Sequence, residues 1–199
     1  MPTRILIEGR PGSGKTTAIR RLAALLHTRE AAGFTTEEIR SDGARVGFAL
    51  ETLDGRRAVL AHVSFPGPPR VGRYGVDLRV MAQLALPSLT PPATTPVTPA
   101  RERVLLRERL VPQERLVPRE RLVLIDELGR MELAYPPFQD AVRALFAAEV
   151  DVVATVQAQP GPLTDALKRR ADVELIRLAR AGRDALPAQL AARLEPAAR

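Results

Sequence analysis

Gly9-Arg10-Pro11-Gly12-Ser13-Gly14-Lys15-Thr16 runs in the order G-x-x-x-x-G-K-T, and each residue type has a task at that spacing. The glycines let backbone N–H groups turn inward around phosphate oxygens. Lys15 can reach the β- and γ-phosphates of a nucleotide, and the Thr16 hydroxyl can ligate Mg²⁺. Thr17, next along, completes the candidate phosphate-binding set. Lysine is scarce here: Lys15 and Lys168 are the two lysines among 30 basic residues. A chain that uses arginine almost everywhere else places a lysine where this chemistry needs one, which argues against a chance match.

A second group can complete the site. Asp126 and Glu127 follow the apolar run Leu122-Val123-Leu124-Ile125. A carboxylate ending a buried strand beside the phosphate loop can hold Mg²⁺ through water, and its neighbour can orient or activate an attacking water. Thr16 and Asp126 are therefore the candidate metal residues, and Lys15 and Glu127 the candidate catalytic ones. Asp126-Glu127-Leu128-Gly129 also fits the D-x-x-G of switch GTPases. Those proteins read guanine with N-K-x-D, and this chain contains no asparagine. A guanine-specific switch is disfavoured.

The flanking sequence supplies elements to position these groups. Arg4-Ile5-Leu6-Ile7-Glu8 reads as a strand. Ile19, Leu22, Leu25 and Leu26 recur at helical spacing after the loop, so the loop opens a helix N-terminus, where the dipole favours an anion. Ala31 to Phe34 breaks that pattern. Val46, Phe48 and Leu50 alternate, a turn follows at Leu53 to Arg56, and Ala58 to Val63 returns, which predicts a β-hairpin over 44–63. Asp77 is a candidate N-cap for a helix through Leu78, Met81, Ala82 and Ala85. Leu122–Ile125 and Val150–Val156 read as strands buried on both faces. Helices are expected after Pro136-Pro137, over 162–170 and over 184–194, with a strand at Val173–Leu178. This alternation implies an α/β fold: a mainly parallel sheet with helices on both faces, to which the hairpin adds antiparallel strands at or near an edge.

Residues 87–121 stand apart. Five prolines from Pro87 to Pro99 interrupt a Thr/Ala-rich stretch, and four six-residue copies resembling RERLVP then span 101–124. The expected organisation is one domain over 1–199 carrying a low-order insertion at 87–121, made by local tandem duplication. A length of 199 residues suits one domain with a substantial core. No cysteine is present, which rules out disulfides and cysteine metal sites. No apolar run approaches transmembrane length and the N-terminus lacks a signal-peptide pattern, so a cytoplasmic protein without a membrane partner is expected. The net charge of +7 invites a nucleic-acid reading. Residues 101–121 alone hold seven arginines against four glutamates, and aromatics are 4% of the chain. No nucleic-acid partner is expected, and a monomer is favoured over an oligomer.

Three further strings carry a resemblance. Gly33-Phe34-Thr35-Thr36-Glu37-Glu38-Ile39-Arg40, Val71-Gly72-Arg73-Tyr74-Gly75-Val76-Asp77-Leu78 and Ile125-Asp126-Glu127-Leu128-Gly129-Arg130-Met131-Glu132-Leu133 are similar, in order and approximate spacing, to the small nucleoside-triphosphatases first described in thermophiles. The vertebrate cancer-related nucleoside-triphosphatase belongs to the same family. The resemblance implies a three-layer RecA-like P-loop NTPase domain. It also implies Mg²⁺-dependent hydrolysis of ATP, GTP, CTP and UTP to diphosphate and phosphate, with broad base tolerance. By match, Glu38, Arg40, Arg73 and Tyr74 lie in loops facing the nucleotide, although Glu38 and Arg40 can equally pair with neighbours. Arg130 matches a position usually basic in the family; it can stabilise transferred charge or stand exposed. Two departures bear on base recognition. Gly182-Arg183-Asp184-Ala185-Leu186 replaces a family N-R-D-x-L, and Gln157-Ala158-Gln159-Pro160 replaces a basic or His-containing loop.

Two other readings use the same loop. A small nucleotide or nucleoside kinase would pass the γ-phosphoryl group to an acceptor other than water, with Arg169 and Arg170 as lid arginines. A binding module would use slow hydrolysis to reset a partner.

Overall fold

The computed structural model describes residues 1–26, 29, 31–90, 122–179 and 182–195. The hexad repeats and the proline-rich stretch thus fall outside the described residues, except for Pro87 to Thr90 at one end and Leu122 to Leu124 at the other.

The chain runs β1 (Arg4–Gly9), α1 (Lys15–Leu25), β2 (Ala31–Ser41), β3 (Ala44–Thr52), β4 (Arg57–His62), β5 (Arg70–Val71) and β6 (Tyr74–Val76). A single helical rod follows, made of α2 (Leu78–Val80), a π-turn segment (Met81–Ala85) and α3 (Leu86–Ser88). Beyond it come β7 (Leu122–Leu128), a 3₁₀ turn (Glu132–Ala134), α4 (Pro136–Ala147), β8 (Asp151–Gln157), α5 (Pro162–Lys168), β9 (Glu174–Arg177) and α6 (Leu186–Leu194).

Among the described residues, nine strands join one sheet in the order β5-β6-β4-β3-β2-β7-β8-β1-β9. From β2 to β9 the neighbours are parallel, and from β2 to β5 they are antiparallel. Side chains alternate across a strand, and the core splits accordingly. Ile5, Ile7, Leu122, Leu124 and Val153 face α1 and α6. Leu6, Val123, Ile125, Val152 and Ala154 face the other way, where Phe138, Val142 and Phe146 of α4 and Leu163 and Leu167 of α5 pack. The result is three layers, with the parallel strands buried on both faces as their unbroken apolar runs require.

Four features differ from the sequence expectation. Residues 31–34 do not merely break a pattern: they start β2, an eleven-residue strand. Its entry depends on Gly33 at φ +119°, where any Cβ would be driven into the Leu124 carbonyl oxygen of β7. The hairpin of β3 and β4 is present, but β6 and β5 lie outside it and take the sheet edge. Leu25, expected inward, is 39% exposed, because the helix ends there and its last turn rotates past the core. Pro87 stands within the helical rod, at the start of α3, so the helix runs past the first proline of the 87–99 stretch. The Asp77 cap is as expected: its carboxylate accepts from Arg79 N–H at 2.9 Å.

Candidate functional site

Parallel strands deliver their C-terminal ends to one edge, and open α/β sheets bind ligands there. β1 ends at Gly9, and the chain loops through Arg10 to Gly14 before α1 begins at Lys15. Gly14, at φ +98°, caps the helix without a side-chain bond, so the first N–H groups of α1 stay open toward the loop. Thr16 is half-buried, while Arg10, Pro11, Gly12 and Thr17 are exposed. Lys15 is 6% exposed, and its Nζ donates to Gly9 O at 2.9 Å and more weakly to Arg10 O at 3.4 Å. The same Nζ lies 3.3 Å from Glu127 Oε2.

Glu127 and Asp126 arrive from β7. That strand is not β1's neighbour; β8 stands between them. The intervening strand supplies Thr155, whose hydroxyl donates to Asp126 Oδ1 at 2.6 Å. Asp126 is fully buried, and its Oδ2 makes no hydrogen bond of good geometry. Burial pushes its carboxyl upward, opposed by the Thr155 and Thr16 hydroxyls, the Thr36 backbone N–H and the charge of Lys15. Glu127 is also pushed up by burial, with the Lys15 charge opposing and Asp126 reinforcing. A buried carboxylate oxygen without a partner, next to a threonine hydroxyl, is a donor set suited to a hard divalent cation.

Two supports went unassigned in the sequence reading. One is Thr155. Its signal was a lone hydroxyl in the apolar run Val152 to Val156. The other is Lys168, whose Nζ donates to Glu8 Oε1 at 2.6 Å and to Gln157 O at 3.1 Å. It ties α5 to the ends of β1 and β8, just below the loop. Glu8 is held below its usual range chiefly by that bond. A cavity of about 490 Å³ opens beside it, lined by Glu8, residues 9–13 of the loop, Ala158, Arg177 and Leu178.

The remaining candidates fall in two places. β2 pairs with β7 only as far as Phe34, opposite Ile125, and then continues to Ser41 against β3. At about 3.3 Å per residue this ribbon rises well past the level of Asp126. Its outer part carries Glu38 and Arg40. Glu38 accepts from Arg40 Nη2 at 2.6 Å and Arg45 Nη1 at 2.7 Å, and Arg45 Nε reaches the Tyr74 hydroxyl at 3.2 Å. The Arg73 guanidinium lies 5.3 Å from the Tyr74 ring centroid and bonds to the Arg45 carbonyl. Glu38, Arg40, Arg73 and Tyr74 thus form one network on the antiparallel wing. On the opposite flank, Arg183 comes within 3.6 Å of where a Cβ on Gly14 would stand. The G-R-D string therefore lies against the base of the loop. Arg130 is exposed.

Arg170 is elsewhere. It makes a two-pronged contact with Asp172, at 2.9 and 2.8 Å, and Asp172 also accepts from Arg4 at 2.9 Å. Arg4 opens β1, so this cluster sits at the N-terminal edge of the sheet, opposite the loop. The structure corrects the reading of Arg170 as a lid residue.

An α/β sheet of this order, with a glycine-rich loop opening α1 and a carboxylate pair one strand removed, defines the class of nucleotide-binding α/β proteins. The profile of the family described as NTPase matches residues 4–95 and 106–191, and the chain belongs to that family. It is 38% identical over 183 residues to the nucleoside-triphosphatase THEP1 of Thermotoga sp. (strain RQ2), covering 92% of this chain and 90% of that protein. The crystal structure of THEP1 from the hyperthermophile Aquifex aeolicus superposes with a TM-score of 0.76 at 31% identity, covering 98% of this chain and all of that one. The solution structure of a human cancer-related nucleoside triphosphatase gives 0.73 at 29% identity, covering 99% of this chain.

Proposed function

We propose that this chain hydrolyses nucleoside 5′-triphosphates to diphosphate and phosphate, with Mg²⁺ and with little preference among ATP, GTP, CTP and UTP. The observation that carries the reading is the convergence of Lys15 and Glu127, 3.3 Å apart, above the buried Asp126. The loop N–H groups from Gly9 to Thr16 bind the β- and γ-phosphates, with Thr17 beside them. Lys15, already aimed into that space, exchanges its carbonyl partners for phosphate oxygens. Thr16 and Asp126 would hold Mg²⁺. When bound, the ion offsets charge on the phosphate oxygens. Glu127, whose carboxyl burial pushes up, orients water and accepts its proton. Arg40, Arg73 and Tyr74 line the wing side of the nucleotide.

The kinase alternative loses support from Arg170, which is engaged with Asp172 at the far edge. Broad base tolerance accords with an asparagine-free chain whose loop flank offers arginine and small side chains. Among the described residues no helix is long and apolar enough to cross a membrane; a cytoplasmic monomer, free of nucleic acid, remains part of the proposal.

The test is inorganic phosphate release from purified protein with Mg²⁺ and each of the four triphosphates, without an acceptor. Release from several nucleotides is expected, falling at least about 100-fold in Lys15→Ala and Glu127→Gln. No release unless an acceptor is added overturns the hydrolase reading.

A further inference from the structure

Glu132 is the most deeply buried carboxyl that the proposed reaction does not use. It opens the 3₁₀ turn after β7 and is 6% exposed. Its Oε2 accepts the Gly129 N–H at 3.1 Å, two residues beyond Glu127. Gly129 is the point around which the site closes. A Cβ there would meet Glu132 Oε2 at 2.8 Å, the Gln157 side-chain amide at 3.3 Å and Glu127 Oε1 at 3.4 Å. Three polar side chains, two from the β7 segment and one from β8, thus press on one bare Cα. Glu127 Oε1 is buried there without a hydrogen bond of good geometry. Its orientation is therefore set by what surrounds it: Lys15 on one side, and Gly129, Glu132 and Gln157 on the other.

We propose that Glu132, as a neutral acid bonded to the Gly129 N–H, is a positioning residue that holds Glu127 in its working orientation. The inference rests on the hydrolase reading above. Burial, with the Glu127 and Asp126 carboxyls nearby, pushes the group up to about 8, which keeps its proton on at neutral pH. Its hydrogen bond from Gly129 opposes that rise. The groups facing this cluster are Asp126 and Glu127 on β7, Lys15 on α1 beyond Glu127, and Gln157 on β8, whose carbonyl is held by Lys168 of α5. Ionisation of Glu132 places a second negative charge behind Glu127. That charge repels the carboxylate and weakens its hold on water. The sequence gives the reason for Gly129 as well: D-x-x-G here serves close packing of carboxylates, not a guanine switch.

The experiment is the pH dependence of phosphate release, from pH 6 to 9.5, for wild type, Glu132→Gln and Glu132→Leu. Wild-type kcat is expected to fall on a limb centred near pH 8. Glu132→Gln keeps an acceptor for Gly129 N–H and cannot ionise, so its kcat stays within about threefold of wild type at pH 7 and the alkaline limb disappears. Glu132→Leu removes the acceptor and lowers kcat about 10- to 100-fold with KM within about threefold, as expected for a misplaced water-activating group. A Gln variant with the wild-type limb, or one as slow as the Leu variant, overturns the inference while leaving hydrolysis standing. Absence of phosphate release in wild type overturns the hydrolase reading itself.

Discussion

Replacing Glu132 with glutamine removes one titrating group from a buried position and keeps its shape. The consequence for stability can be worked out independently of catalysis. In the unfolded chain the carboxyl titrates near 4.5, and in the folded protein near 8. Below pH 4.5 both states carry the proton, and the group costs nothing. Between the two values the unfolded state releases its proton while the native state keeps it, so wild-type stability falls by about 1.4 kcal/mol per pH unit. Above pH 8 the native group must ionise inside the protein and the loss is complete, roughly 4–5 kcal/mol on the full interval. Asp126 and Glu127 are also pushed up, but they are present in both proteins and their slopes cancel to first order. Denaturant unfolding at each pH from 5 to 9 should therefore show Glu132→Gln gaining on wild type steadily, by about 3–4 kcal/mol between pH 5 and pH 8. Curves that stay parallel within about 0.5 kcal/mol across that range would refute the reasoning, because they would mean that Glu132 titrates alike in both states.

Thr155→Val removes the 2.6 Å hydroxyl bond to a fully buried Asp126, leaving Thr16 and Thr36 as the donors that face its carboxyl. A loss of about 1–3 kcal/mol in denaturant unfolding is expected. Gly33→Ala places a methyl into the Leu124 carbonyl at a φ of +119°. Separation of β2 from β7 should cost more than about 3 kcal/mol, read as a collapse of the unfolding midpoint or as insoluble expression.

Legibility from sequence followed locality. The loop, α1 and the terminal carboxylates of β7 were readable because their chemistry depends on residue type at short spacing. The buried parallel strands were readable because they are continuous apolar runs between turn signals. β2 was not, since Thr35 to Arg40 is polar everywhere but Ile39 and shows no apolar alternation, as suits a ribbon that leaves the sheet core and pairs only with β3. The order of the strands was equally silent. Nothing near Asp126 says that β8 intervenes, and so nothing said that Thr155 would meet it from 29 residues away. Lys168 is 160 residues from Glu8, and only the crossover of α5 puts the two together.

The buried charges share one physical logic. Lys15, Asp126, Glu127 and Glu132 lie at the one edge where parallel strand ends leave the interior accessible, and burial pushes all three carboxyls toward the neutral form. Such a cluster is unfavourable on its own: one ammonium faces several acids, and removing water from each costs several kcal/mol. The fold tolerates it by keeping a proton on Glu132, by giving Asp126 a hydroxyl donor and by setting Glu127 against Lys15. A cation at Asp126 and a polyanion over Lys15 would redistribute those charges without moving the strands. The same groups would then be more comfortable with substrate than without it, which is the arrangement expected when a site is organised around charge that develops in the reaction.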